Sequence, residues 1–491
     1  MKRLNIIFIS LLAMVCTVLS CSDDSVEDKD IQKIDPVGQL EVYKTSREKE
    51  ILVKFIRTNY VKDIQIEIAY RNTESGENGE WTTIVLNGDN YKYGGNYLLQ
   101  VPAEGTYEVA ITLIGANELR SESKSQLAST FEYVKTSMFD CAHSMMTCVI
   151  KYYYHKGPRT CWQTYYPKEQ GYWDGDAVVW GQGGGLSAFV ALREASVDTE
   201  QEEYYRSLED DMFKGIQHFW VTDHGRTAYS VYPDSGNDRF YDDNDWLAID
   251  FCDLYALTKN KKYLEKAQTL YNYIYSGWDD VLGGGIYWCE QKKTSKNTCS
   301  NAPAAVLCMK LYNLTKDNTY LEQAKKTYDW TKNSLRDPED FVYWDNVRLD
   351  GSVDKAKYTY NSGQMIQAGV LLYQQSGDKA YLKDAQETAR GAYQRFTEVR
   401  KAVDGTATRF YTASPWFNVI LLRGLTALYE VDHNPEYIRT MADNARYAWD
   451  HTRDVNGFLD NDWTGIKTKE HKWLLDNACM VELFSEINNI K

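Results

Sequence analysis

The sequence predicts an all-α (α/α)6 toroid preceded by a small all-β sandwich of immunoglobulin or fibronectin type. Three observations predict it. The hydrophobic pattern has period two from about Gly38 to Val134 and takes helical spacing from about Ser137. The helical part repeats a polar turn followed by an aromatic residue. Its first and last helices have no partner in sequence, so they can complete each other and close a ring.

The β part is placed at residues 37–135. Ile51–Ile56, Ile64–Ile68 and Thr106–Ile111 alternate and are rich in β-branched residues. Leu40–Tyr43, Trp81–Leu86, Tyr97–Val101 and Thr130–Val134 bring the count to seven strands, separated by turn clusters such as Asn87-Gly88-Asp89-Asn90. Seven short strands in about 100 residues suit a sandwich. Nothing in this part is chemically suggestive, so a spacer is favoured over a binding module.

The helical part, residues 137–491, carries the repeat. Thr258-Lys259-Asn260, Thr315-Lys316-Asp317, Ser376-Gly377-Asp378 and Val431-Asp432-His433-Asn434-Pro435 each separate two helices, and Tyr263, Tyr320, Tyr381 and Tyr437 follow them. These tyrosines are 57, 61 and 56 residues apart, and a fainter copy at Tyr204 lies 59 residues before Tyr263. Five hairpins, a leading helix near Phe139–Tyr154 and a closing one near Trp473–Asn489 give twelve helices. A helical hairpin cannot bury its apolar face alone, so the repeats must stack, either as a closed ring or as an open array. The unpaired terminal helices favour closure.

At the N-terminus Lys2 and Arg3 precede the apolar stretch Ile6–Leu19, which ends Val18-Leu19-Ser20-Cys21. This resembles a bacterial lipoprotein signal (residues 1–20), cut before a cysteine that is then acylated. The acidic run Ser22–Asp28 reads as part of a solvated tether over residues 21–36. The expectation is a monomer touching the membrane only through a lipid on Cys21, at the outer membrane or cell surface, with the periplasmic face as the alternative.

The net charge is −15, and no basic run interrupts it, which argues against a nucleic-acid partner. With 38 Tyr and 14 Trp the chain is rich in flat apolar faces with polar edges, which suit neutral sugars or serve as core. Eight cysteines remain beyond Cys16 and Cys21, without CxxC pairs or histidines at metal spacing, so no metal or cofactor is expected. A Cys289–Cys299 disulfide is one option.

In an α/α ring the long connections gather at one end, where function is expected. They carry Phe240-Tyr241-Asp242-Asp243-Asn244-Asp245-Trp246, Gly277-Trp278-Asp279-Asp280, Gly283–Trp288, Lys296–Pro303 and Tyr358–Gln364. Asp242 and Asp243 precede a helix expected to start near Asn244 or Asp245. One acid or amide suffices as a cap; three acids and an amide in four positions exceed that need. Paired carboxylates suit acetal cleavage, one protonating the leaving oxygen and the other serving the anomeric carbon. Consecutive side chains of a regular helix diverge by about 100°, so the backbone is expected to bend there. Asp279 and Asp280 are the rival carboxylates.

These motifs, in this order over about residues 137–491, resemble glycoside hydrolase family 76. The resemblance implies an (α/α)6 endo-α-1,6-mannanase acting with retention on α-mannan, without metal or cofactor. It also implies Asp242 as nucleophile and Asp243 as general acid/base. Asn244, Asp279, Asp280, Trp288, Asn297, Asn301, Tyr360 and Asn361 are the expected substrate-binding residues. The triple glycine Gly283–Gly285 is read as letting the backbone pass close to substrate or to another loop.

Overall fold

The computed structural model describes residues 33–490 except 46–48, 74–78, 131–135, 156–160, 168–174 and 234–235. The expected leader, Cys21 and residues 21–32 of the tether lie outside the described residues.

The N-terminal unit consists of two antiparallel sheets. Val37–Lys44 (β1), Glu50–Arg57 (β2) and Gly94–Gln100 (β5) form one, in the order β1-β2-β5. Gln65–Asn72 (β3), Thr82–Asn87 (β4), Thr106–Ile114 (β6) and Lys124–Ser129 (β7) form the other, in the order β4-β3-β6-β7. Alternation drives the burial: Ile51, Val53 and Phe55 of the first sheet share a core with Ile66, Ile68, Val109 and Ile111 of the second. The seventh strand was expected at Thr130–Val134. The structure places it at Lys124–Ser129, and 131–135 lie outside the described residues. As an edge strand it buries only Ala128, so its sequence has no apolar alternation to detect.

The helical domain holds twelve α-helices among the described residues: Met138–Tyr153 (α1), Val179–Ala195 (α2), Glu202–Gln217 (α3), Tyr241–Thr258 (α4), Lys261–Tyr275 (α5), Thr298–Thr315 (α6), Asn318–Leu335 (α7), Thr359–Ser376 (α8), Lys379–Phe396 (α9), Pro415–Asp432 (α10), Glu436–His451 (α11) and Leu474–Asn489 (α12). Even-numbered helices pack on one another in a cycle, α2 to α4 and onward to α12, which returns to α2. Odd-numbered helices back them from outside, and α1 packs on α12, so the terminal helices do complete each other. The sequence separates the two layers. Inner α6 is buried at every position from Thr298 to Met309, whereas outer α5 buries a stripe of Tyr263, Ala267, Leu270 and Ile274.

The repeated turn has a simple local cause. Lys259, Lys316, Gly377 and His433 end their helices in the left-handed conformation. Asn260, Asp317 and Asp378 then cap the next helix by accepting the N–H two residues on. This gathers the short turns at one end and the inner-helix N-termini, with the long connections, at the other. There the three-stranded sheet meets the α11–α12 connection: Lys54, 2% exposed, lies among Glu41, Arg453 and Asp454, and the Thr468 hydroxyl donates to the Gly94 carbonyl at 3.5 Å.

Candidate active site

Each inner helix carries a hydrogen-bonding side chain at its fourth residue: Gln182, Asn244, Asn301, Ser362, Asn418 and Asn477. They fasten the connections to the helix ends. The Asn244 amide accepts the Tyr229 N–H at 2.8 Å and donates to the carbonyls of Tyr229 (3.0 Å) and Phe240 (2.8 Å). Asn301 accepts the Ile286 N–H at 2.7 Å and donates to the carbonyls of Ile286 and Asn297. Gln182 treats Trp162 in the same way, and Asn477 accepts the Leu459 N–H. Asn244 and Asn301 are fully buried and spend their amides on backbone, so the structure places them in the scaffold rather than against substrate.

Helix α4 begins at Tyr241, three or four residues before the expected start, and no kink interrupts it. The expected bend is therefore absent. At its start the Tyr241 N–H donates to the Trp288 carbonyl at 3.0 Å and the Asp243 N–H to Asp242, so two first-turn donors are satisfied without a polar side chain at the N-cap, Phe240. Asp242 and Asp243 are the second and third residues of the first turn. Their side chains diverge around the axis, yet both Cα–Cβ bonds tilt toward the N-terminal end and so toward one opening. The N-terminus itself favours negative charge there.

The two carboxylates have unlike surroundings. Asp242 Oδ2 accepts the indole N–H of Trp288 at 3.0 Å, and Oδ1 accepts the Asp243 N–H at 3.1 Å. Burial pushes the Asp242 carboxyl up to about 6, while the Cys299 thiol, the Trp288 indole and the backbone donors hold it back. Asp243 has no such donor among the described residues: burial, then the charge of Asp242, push it well above the usual carboxylate range. It lines a crevice, too tight to admit a water, with Val179, Trp180, Gly183, Gly184, Trp246 and Trp416. Asp245 is completely buried without a hydrogen-bond partner among the described residues, and burial, then the charge of Asp242, push its carboxyl well above the usual range.

The rival carboxylates take other places. Asp279 pairs with the fully buried Lys296, Oδ1 to Nζ 2.6 Å. Burial opposes its ionisation, but hydrogen bonds from Lys296 and Tyr287 outweigh this and hold it below its usual range. The same ammonium donates to the carbonyls of Asp279, Val281 and Gly284, which fixes the loop. Asp280 is exposed beside it. Of the triple glycine, Gly284 and Gly285 have φ of +138° and +89°, and added Cβ atoms would strike Trp278 and Trp330. These glycines admit tryptophans of the protein itself.

Other expected residues gather on the Asp242 side. Trp288 is half-buried, packs on Phe240 and turns its N–H to Asp242. Asn297 is buried as the N-cap residue of α6, its Oδ1 accepting from the Ser295 hydroxyl. Tyr360 stacks on Tyr358 and lies near Cys299, Asp345 and Asp242. Asn361, 1% exposed, faces Asp345. Cys289 and Cys299 are both free, so the optional disulfide is not formed; one thiol faces Gln291 and the other Asp242.

Sequence reasoning missed Asp345, whose carboxyl burial raises while Asn346 donates to it at 2.7 Å. The available signal was Tyr343-Trp344-Asp345, an aromatic pair on a long connection like Tyr287-Trp288 on the one before. It also missed the tryptophan corner of Trp180, Trp246 and Trp416.

The family model for glycosyl hydrolase family 76 matches residues 137–489. A family 76 glycoside hydrolase crystallised from a bovine Bacteroides thetaiotaomicron strain is 62% identical, over 93% of this chain and 99% of that one, with a TM-score of 0.71. A family 76 mannosidase from Bacteroides thetaiotaomicron VPI-5482 is 41% identical, over 72% of this chain and 98% of its own, with a TM-score of 0.69. An inactive variant of a Salegentibacter α-1,6-mannanase, with two consecutive aspartates changed to alanine and in complex with α-1,6-mannotetrose, is 25% identical over 72% of this chain and 100% of its own (TM-score 0.60). Among curated proteins, a mannan endo-1,6-alpha-mannosidase of Saccharomyces cerevisiae is 29% identical over 126 residues, 24% of this chain and 28% of its own length. The chain spans under a third of the length of that curated relative. The match covers all twelve helices, including the α4 terminus that bears the two aspartates: the chain belongs to glycosyl hydrolase family 76 and is a glycoside hydrolase.

Proposed function

We propose that the protein cleaves α-1,6-linked mannan internally, with retention, through a mannosyl-enzyme ester on Asp242. One observation carries this reading: two neighbouring carboxylates share a helix terminus but differ in their donors. The braced one is ionised near neutrality and suits nucleophilic attack on the anomeric carbon. The unbraced one keeps its proton and suits protonation of the departing 6-oxygen. Asp243, once deprotonated, takes a proton from the water that opens the ester and is restored as the acid. The mannan-acting relatives support the substrate class.

The anchor reading rests on Ser20-Cys21 closing the apolar stretch: a lipid on Cys21 holds a monomer at the outer membrane or cell surface. For the β unit, the division of its seven strands supports a fibronectin-like sandwich, as does the Tyr107 hydroxyl donating back to the Ala103 carbonyl at 2.9 Å at the start of β6. Its place against the α11–α12 connection suits a spacer.

The test is to incubate purified protein with unbranched α-1,6-mannan and separate the products. A ladder of oligosaccharides is expected, abolished in Asp242→Asn and in Asp243→Asn with unchanged circular dichroism. Full activity in both variants would discard the assignment.

A further inference from the structure

The residue just before the N-cap divides the six inner helices into two sets. Before α4, α6, α8 and α12 it is a cation: Arg239, Lys296, Lys357 and Lys472. Before α2 and α10 it is an alanine, Ala177 or Ala413, so the ring closes without a cation at this place. The four cationic side chains are between 0% and 6% exposed, and each meets a carboxylate of a long connection. Arg239 Nη2 lies 2.6 Å from Glu290, Lys296 2.6 Å from Asp279, Lys357 2.6 Å from Asp337 and 2.7 Å from Asp340, and Lys472 2.6 Å from Asp460. A helix N-terminus repels cations, and a buried ion pair loses its hydration, so stability alone gives little reason to place charges there. What such pairs do fix is the relative place of the segments they join.

Two of the four close on the same connection, the one between α5 and α6, from the two sides of Trp288. Upstream, Lys296 Nζ holds the Asp279 carboxylate and donates to the carbonyls of Asp279 at 3.1 Å, Val281 at 2.7 Å and Gly284 at 2.5 Å. It also lies 4.8 Å from the centre of the Tyr287 ring. Downstream, Arg239 Nε donates to Glu290 at 2.7 Å, and its other nitrogens donate to the carbonyls of Arg226 at 2.9 Å and Asp223 at 3.0 Å. Between these grips the chain is extended, with bridges from Tyr287 to Lys296 and from Cys289 to Phe240. Successive side chains of an extended chain point to opposite sides. Tyr287 therefore turns to Lys296 while Trp288 turns its indole to Asp242.

We propose that Lys296 and Arg239 are positioning residues for the nucleophile: by holding the connection on both sides of Trp288 they keep its indole N–H on the Asp242 carboxylate. The proposal rests on Asp242 as the nucleophile. Asp242 is otherwise faced by Asp243 and Asp245 of its own helix, by the Cys299 thiol of α6 and by the Tyr360 hydroxyl of α8. All of these stand on inner helices, whereas the indole is presented by a connection and needs support of its own. Lys357 and Lys472 apply the same chemistry to connections that do not carry Trp288.

The experiment compares Lys296→Met, Arg239→Lys and Lys472→Met in steady-state hydrolysis of α-1,6-mannan from pH 4 to 9. Lys296→Met should lower kcat/KM about tenfold near pH 6, the effect of losing one hydrogen bond to a charged group. Its acid limb should move to higher pH. Arg239→Lys keeps the charge but loses the fork, and should move the limb in the same direction by less; it also keeps the test open if Lys296→Met fails to fold. Lys472→Met breaks an equivalent buried pair, so its Tm should drop as well, but its acid limb should stay where the wild type has it. In the Trp288→Phe background, Lys296→Met should change kcat/KM by less than about twofold, because the donor it positions is already gone. A full further loss in that background, or an acid limb that moves as far in Lys472→Met, would overturn the proposal while leaving the hydrolase reading intact. Wild-type enzyme that releases nothing from mannan would instead remove the reading on which the proposal rests, and the proposal with it.

Discussion

The indole N–H of Trp288 donates to Oδ2 of Asp242 at 3.0 Å, joining the connection before α6 to the first turn of α4 across 46 residues of chain. The carbonyl of the same Trp288 accepts the first N–H of α4. One residue therefore both satisfies the first N–H of the helix and braces the carboxylate that the helix presents.

Trp288→Phe keeps the ring against Phe240 but removes that donor. A hydrogen bond to a charged group contributes about 1.5–3 kcal/mol, so kcat/KM on mannan should fall about tenfold or more near pH 6. The acid limb of the pH profile should move to higher pH, because the Asp242 anion has lost a stabilising partner. Steady-state kinetics between pH 4 and 9 measure both effects.

In the proposed mechanism the wild type reacts with Asp242 ionised and Asp243 protonated. With burial pushing Asp242 up to about 6 and Asp243 higher still, kcat/KM should be bell-shaped. It should rise through about pH 6 and decline on the alkaline side as Asp243 loses its proton. The two limbs belong to the pair rather than to either residue alone.

Stability should follow the opposite preference. Asp243 has a folded-state pKa above its unfolded value, so the folded protein binds more protons between the two. Stability is then greatest below the unfolded carboxyl value and falls as pH rises through this window. Asp243→Asn removes the effect. Its Tm should exceed that of the wild type by about 2–5 °C at pH 7, with the gap closing toward pH 4 in calorimetry.

Asn244→Ala tests the reassignment of the buried amides. Three backbone groups lose their partner, at a cost of about 3 kcal/mol, so Tm should drop by several degrees. KM of the folded enzyme should stay near the wild-type value. A large rise in KM at unchanged Tm would restore Asn244 to the substrate contacts.

Most of the fold was legible because it follows from local rules. Period two located six of the seven strands, and the recurring polar turns, three of them capped by Asn260, Asp317 and Asp378, marked the helical hairpins. The acidic pair stood out because it exceeds the needs of a cap. What escaped depends on distant partners. The first N–H of α4 depends on a carbonyl at Trp288, the work of Asn244 and Asn301 on backbone some 15 residues away, and the loop at Gly283–Gly285 on the buried Lys296 and two tryptophans. Asp345 lies on a short strand with little apolar pattern to flag it.

The proposed mechanism passes through a covalent sugar ester on Asp242. The most direct measurement is intact-mass and peptide-mass analysis after reaction with a fluorinated α-mannosyl fluoride whose ester is slow to hydrolyse. One glycosyl adduct is expected, on the peptide that contains Asp242, and none in Asp242→Asn. An adduct on another carboxylate, or active enzyme that forms none and releases the inverted anomer, would contradict it.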